Sequence, residues 1–159
     1  MASDIDLDNE MSVTPEQIIL MLSSCDKDYI IDIPTILLNN ADRIDFNEMI
    51  NTAFKAGLGY SLLALIDVAN KLEHNDAFFK VLSRQYPPNI EGNVIQDDIF
   101  PVHKFRQLIK RSFLERIEER WNVRIAFTFN DFYKVYRDYH LLPVHGEGLR
   151  KYFGDIIEI

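Results

Sequence analysis

The side chains best suited to metal or nucleophilic chemistry are four histidines, His74, His103, His140 and His145, and one cysteine, Cys25. A zinc-binding helix of the His-Glu-x-x-His type needs its imidazoles four residues apart, on one face. His140 and His145 are five apart, and the pattern does not occur. With a single thiol, a structural zinc site would depend on histidine and carboxylate ligands. No metal site and no cofactor is expected. Cys25 falls where a helix is expected to end, and the negative end of the backbone dipole opposes thiolate formation there. It reads as a packed structural thiol. Gly57-Leu58-Gly59 offers half of a dinucleotide-binding loop, without the preceding strand or the third glycine. A turn between helices explains it better. Asp97-Asp98 has the charge for a divalent cation, but adjacent loop acids ordinarily face water. No Walker-type phosphate loop and no exposed-serine elbow occurs. The inventory points away from an enzyme.

Two stretches carry the chemistry of recognition instead. Residues 87–101 form the longest irregular segment, and a structureless loop of that length is uncommon inside one domain. It holds Ile90, Val94, Ile95, Ile99 and Phe100, too apolar for a free linker. These five residues are the expected protein-contact surface, lying against the body or covered by a partner. The second stretch is a helix expected near 102–122, about six turns long. Lys104, Arg106, Lys110 and Arg111 occupy its first half, and Glu115, Glu118 and Glu119 come later. Cations at the start of a helix oppose its dipole. Such rule-breaking marks a candidate anion-binding or nucleic-acid surface, although the same side chains could pair with the acidic half of the chain.

The elements that position these residues follow from pattern. Thr14-Pro15-Glu16-Gln17 is a helix start, with a hydroxyl at N-cap, proline at N1 and glutamine at N3. Ile18 to Leu22 then read as a buried helix. For 28–39 the expectation is a helix from near Ile33-Pro34 to Leu38, stopped by Asn39-Asn40, since proline is costly in a helix interior. Asp45 and Glu48 form a second capping pattern ahead of Phe46, Met49, Ile50, Ala53 and Phe54. Gly57 and Gly59 suit a left-handed helix end. Ser61 is the expected cap of a helix with Leu62, Leu65, Ile66, Ala69 and Leu72 inward. Asn75 or Asp76 caps a further helix, through Phe78, Phe79, Val81, Leu82 and Tyr86, ended by Pro87-Pro88. Phe105, Leu108, Ile109, Phe113, Ile117 and Trp121 make one helical stripe. Val123, Ile125, Phe127 and Phe129 alternate with other residues at period two, the clearest strand signal. Asn130-Asp131 can start a helix with Phe132, Tyr133, Tyr136 and Tyr139 inward. A short helix over about 146–153 and a closing strand at 155–159 complete the chain.

The expected fold is therefore mainly α, a multi-helix domain with a short two-stranded sheet made from 123–129 and 155–159. The organisation expected is an acidic leader at 1–12, a helical part at 13–86, the connecting loop at 87–101 and a helix-strand-helix-helix part at 102–159, sharing one core. The order of elements in 102–159 resembles a winged-helix module, in which the last helix enters the DNA major groove. That resemblance implies contact through Arg150 and Lys151, with His145 and Tyr152 nearby. Gly146, Gly148 and Glu147 depart from the pattern, because glycines weaken the helix and Glu147 would face phosphates.

Composition sets the outer bounds. The 159 residues are 47% hydrophobic and 12% aromatic, enough for a packed core. The net charge of −8 is split: 6 basic against 17 acidic residues in 1–100, and 11 against 8 in 101–159. The start of the chain is acidic where a secretion signal would be basic and then apolar. No apolar run reaches the roughly 18–20 residues that span a bilayer, and the longest candidate, Tyr60 to Val68, is interrupted by Asp67. One cysteine and no membrane segment suggest a reducing, cytoplasmic setting. The abundance of Ile, Asn and Asp suggests an AT-rich coding source such as a virus or phage. The leading expectation is a non-enzymatic protein-interaction component, whether adaptor, inhibitor or assembly factor. The alternative is a nucleic-acid-binding regulator using the basic helix with Arg150 and Lys151. The oligomeric state is not legible.

Overall fold

Helix α1, Pro15–Ser23, starts as its sequence specifies. Gln17 N–H donates to Thr14 Oγ1 at 3.2 Å, and Thr14 N–H donates to Gln17 Oε1 at 2.8 Å, so each side chain satisfies an orphan donor. The structure is a computed structural model; it describes residues 14–23, 27–95, 114–125 and 127–141.

Helix α2, Lys27–Asn39, corrects the expectation of a start near Ile33. Pro34 sits inside the helix, where it removes one backbone hydrogen bond. The loss is offset by burial: Ile30, Ile33, Ile36 and Leu37 are each no more than 1% exposed. Burying such side chains contributes on the order of 1.5–3 kcal/mol apiece.

Helix α3, Phe46–Lys55, begins with Glu48 N–H donating to Asp45 Oδ1 at 3.1 Å. It ends in a Schellman turn: Leu58 N–H reaches Ala53 O at 2.8 Å and Gly57 N–H reaches Phe54 O at 3.1 Å, with Gly57 at φ +78°. Gly59 is not a second left-handed residue. It opens helix α4, Gly59–Leu72, and a Cβ there would lie 2.4 Å from Phe54 Cγ. The glycine is needed so that the Phe54 ring can lie on the backbone. Ser61 is accordingly no cap; it is a buried residue inside α4.

Helix α4 is the hub. Every residue from Leu62 to Ala69 is buried, and α2, α3 and the later helices pack around it. A helix apolar on all sides is what a central position demands. Asp67 is the one acid in that run, and it is 4% exposed. Helix α5, Asp76–Leu82, is capped by Asn75, whose Oδ1 accepts from Ala77 and Phe78. It stops at Leu82 rather than reaching Tyr86, whose hydroxyl instead donates to Val81 O at 2.8 Å.

The sheet also differs from expectation. Strand β1, Asn93–Ile95, lies within the segment read as a loop. It pairs in parallel with β2, Val123–Ile125, in the register Asn93 to Val123 and Ile95 to Ile125. The expected partner, 155–159, lies outside the described residues. β2 is shorter than 123–129 because Thr128 starts a helix: its hydroxyl accepts from Asp131 N–H, and Asp131 accepts from Thr128 N–H. This capping box also moves the helix start ahead of Asn130. Between the strands in sequence lies helix α6, Leu114–Trp121, with Leu114, Ile117 and Trp121 buried. Helix α7, Phe129–Tyr136, follows β2 and passes into a π-helical turn, Arg137–Leu141. Phe132 and Tyr136 are buried as expected, whereas Tyr133 is 37% exposed. α7 and the π turn pack on α2, and one apolar cluster runs through α1 to α7 and both strands. The chain is mainly helical. No helix among the described residues is long and apolar enough to cross a membrane.

Candidate functional site

The loop from Pro87 to Gly92 is held by side-chain hydrogen bonds rather than by packing alone. Asn89 Nδ2 donates to Asn93 Oδ1 at 2.9 Å, to Trp121 O at 2.9 Å and to Asn122 O at 3.1 Å. Asn89 Oδ1 accepts from Gly92 N–H at 3.2 Å. Asn122 Nδ2 returns a bond to Asn89 O at 2.7 Å. Asn122 adopts φ 53°, a left-handed conformation that asparagine tolerates better than most residues. At the other end of the loop, Tyr60 hydroxyl donates to Pro87 O. The loop is thereby pinned to α4, β1 and the α6–β2 corner.

Next to it lies a cleft of about 370 Å³, open to solvent. Tyr60, Tyr86 and Pro87 give it apolar walls, and Arg84, Arg120 and Glu119 give it charge. Two of its lining residues, Arg120 and Trp121, are held by Asp67. Trp121 Nε1 donates to Asp67 Oδ2 at 2.9 Å, and Arg120 reaches the same oxygen at 3.4 Å. The Arg120 guanidinium also donates to Leu82 O and sits 4.6 Å from the centre of the Trp121 ring. Asp67 thus converts a solitary acid in an apolar helix into an anchor for α6. In the sequence, Asp67 served only to rule out a membrane span; an acid inside an otherwise apolar helix is the signal that could have marked it. Arg84, Asn89 and Arg120 carried no such signal, because their roles depend on partners far away in the chain.

Of the residues expected to meet a protein partner, Ile90 is 86% exposed on the pinned loop. Ile95 is 2% exposed and turned into the core, so it is committed to packing. Val94 is in β1, one residue from it. Ile99 and Phe100 lie outside the described residues, as do Lys104, Arg106, Lys110, Arg111, Arg150 and Lys151. Among the described residues, no group of three His, Cys, Asp or Glu is placed to hold a metal ion.

Comparison with known proteins adds no assignment. No family model, curated protein or solved structure matches this chain.

A second polar cluster fastens the π turn. Tyr136 hydroxyl donates to Glu73 Oε1 at 2.9 Å, and His140 Nε2 lies 3.2 Å from the same oxygen. His140 Nδ1 lies against Asn39 Oδ1, while Asn39 Nδ2 donates to Tyr139 O at 3.1 Å. The Tyr136 and His140 rings stack at 5.2 Å. Burial pushes the Tyr136 phenol up to about 12, helped by its bond to Glu73 and by the Glu73 charge. An unfolded phenol titrates near 10. The neutral hydroxyl therefore contributes its full stability below about pH 10, and the contribution is lost as pH rises towards about 12. Tyr136→Phe should flatten the loss of stability across that window. It should also remove one late-titrating phenolate from the ultraviolet absorbance. Identical phenolate titrations in the two proteins would contradict this assignment.

Proposed function

We propose that this chain is a non-enzymatic protein-interaction module, an adaptor, inhibitor or assembly component, and that it docks its partner on the pinned 87–92 loop and the adjoining cleft. The observation that carries the reading is Ile90. A single exposed apolar side chain is ordinary on a protein surface. Ile90 differs because the loop that presents it is fixed in advance by the Asn89 and Asn122 hydrogen bonds. A preorganised loop loses little entropy when a partner covers it, which favours affinity. The cleft beside it adds aromatic and arginine side chains, the types that dominate binding energy at protein interfaces.

The test is a photoreactive amino acid in place of Ile90, illuminated in an extract of the native source, with the same group at the exposed Phe79 as control. A discrete protein adduct specific to position 90 is expected. Asn89→Ala should weaken it several-fold by loosening the loop. Equal labelling from both positions counts against the proposal. Steeply salt-dependent binding to duplex DNA, with no protein adduct, favours the nucleic-acid reading, which rests on Lys104, Arg106, Lys110, Arg111, Arg150 and Lys151 by sequence alone.

A further inference from the structure

The cleft beside Ile90 carries a charge signature that its partner must match. The chain has a net charge of −8, yet two arginines and one glutamate line this cleft. Both arginines act on one wall. Burial raises the Tyr86 phenol above its ordinary value, and Arg84 and Arg120 each pull it back down. Arg120 is held by Asp67, Leu82 O and the Trp121 ring, so its planar fork is oriented before any ligand arrives. Arg84, two residues past the end of α5, is exposed beside the Tyr86 phenol. The remaining walls are the Tyr60 and Tyr86 rings and Pro87, which suit an apolar side chain.

Size and charge narrow the occupant. About 370 Å³ is near the low end of the roughly 300–1,000 Å³ range of ligand pockets, room for a short segment rather than a folded surface. Glu119 on the lining would repel the closely spaced charges of a nucleic-acid backbone, whereas one carboxylate can meet the arginines and avoid it. We infer that the cleft receives a short peptide segment of the partner in which an aspartate or glutamate neighbours an apolar residue. The carboxylate pairs with Arg84 and Arg120, and the apolar side chain lies against Tyr60 and Pro87. This inference rests on the protein-interaction reading and specifies the chemistry of its partner.

The experiment pans a random-sequence peptide library displayed on phage against the full-length protein and against its Arg84→Glu and Arg84→Gln variants. Circular dichroism checks that each variant is folded, as expected for an exposed side chain. Enriched peptides should share an acidic residue next to an apolar one. Their synthetic forms should bind Arg84→Glu at least about tenfold more weakly, as expected for loss of a charge-assisted bond, and Arg84→Gln by less. Added salt should weaken binding to the parent. Glu119→Gln should bind them equally or more tightly. Failure to enrich any peptide, enrichment of peptides without an acid, or unchanged affinity in Arg84→Glu overturns the inference. A partner that cross-links through position 90 and is indifferent to Arg84→Glu would overturn this inference alone and leave the protein-interaction reading standing.

Discussion

Replacing Trp121 with alanine is expected to destabilise the fold by about 3–5 kcal/mol, the range for removing a large aromatic from a core. The indole is 6% exposed, meets the Tyr86 ring edge-on at 5.8 Å and lies beneath the Arg120 guanidinium. It is also the donor that satisfies buried Asp67, at 2.9 Å. Alanine would leave a cavity, release Arg120 from its stacking position and strip Asp67 of its shortest bond. Trp121→Phe separates these effects, because it keeps most of the ring and deletes the N–H. It should cost about 1–3 kcal/mol, the penalty for leaving a buried polar group short of a partner. Chemical denaturation followed by circular dichroism measures both. As the only tryptophan in the sequence, Trp121 should also emit at the short wavelengths of a buried indole. An alanine variant within about 1 kcal/mol of the parent, or a water-exposed emission maximum, would refute its place in the core.

The elements legible in the sequence were those fixed locally. Thr14 with Gln17, Asp45 with Glu48, and Asn75 with the amides after it are bonds spanning two or three residues, and all form. Ile117 and Trp121 follow the same logic, since a four-residue spacing puts them on one helix face. The misreadings fell where tertiary burial overrode a local rule. Pro34 forbids an interior helical position at low cost, but four neighbouring aliphatic side chains are buried in return. The alternation of Val123, Ile125 and Phe127 is real burial, yet the Thr128 capping box ends the strand before Phe129. β1 was hidden because three residues give no period, and its partner β2 is about thirty positions away in sequence. The candidate site was half legible for the same reason. Ile90 is one of the five apolar residues that set 87–101 apart from an ordinary linker. Asn89, which holds the loop still, is recognisable only once Trp121 and Asn122 are brought beside it.

Phe132→Ala should also cost about 3–5 kcal/mol, and the shape of its unfolding curve bears on how the molecule is organised. Phe132 is fully buried in α7 and meets Phe127 edge-on at 6.0 Å. Its helix packs on α2, and the following π turn is tied to α2 by Asn39 and, through His140, to Glu73 at the end of α4. α7 therefore has no core of its own among the described residues: its apolar face is completed by helices from the first half of the chain. If that packing is obligatory, a cavity at Phe132 must be felt at Trp121, which reports on the α4–α6 contact through Asp67. Tryptophan fluorescence and far-ultraviolet circular dichroism should then shift to the same lower denaturant midpoint, in one transition with an unchanged slope. Two separated transitions, with the fluorescence midpoint left where it is in the parent, would mean instead that α7 unfolds independently of α4 and α6. In that event the bonds from Asn39 and Glu73 would be a docking contact between two separately stable parts.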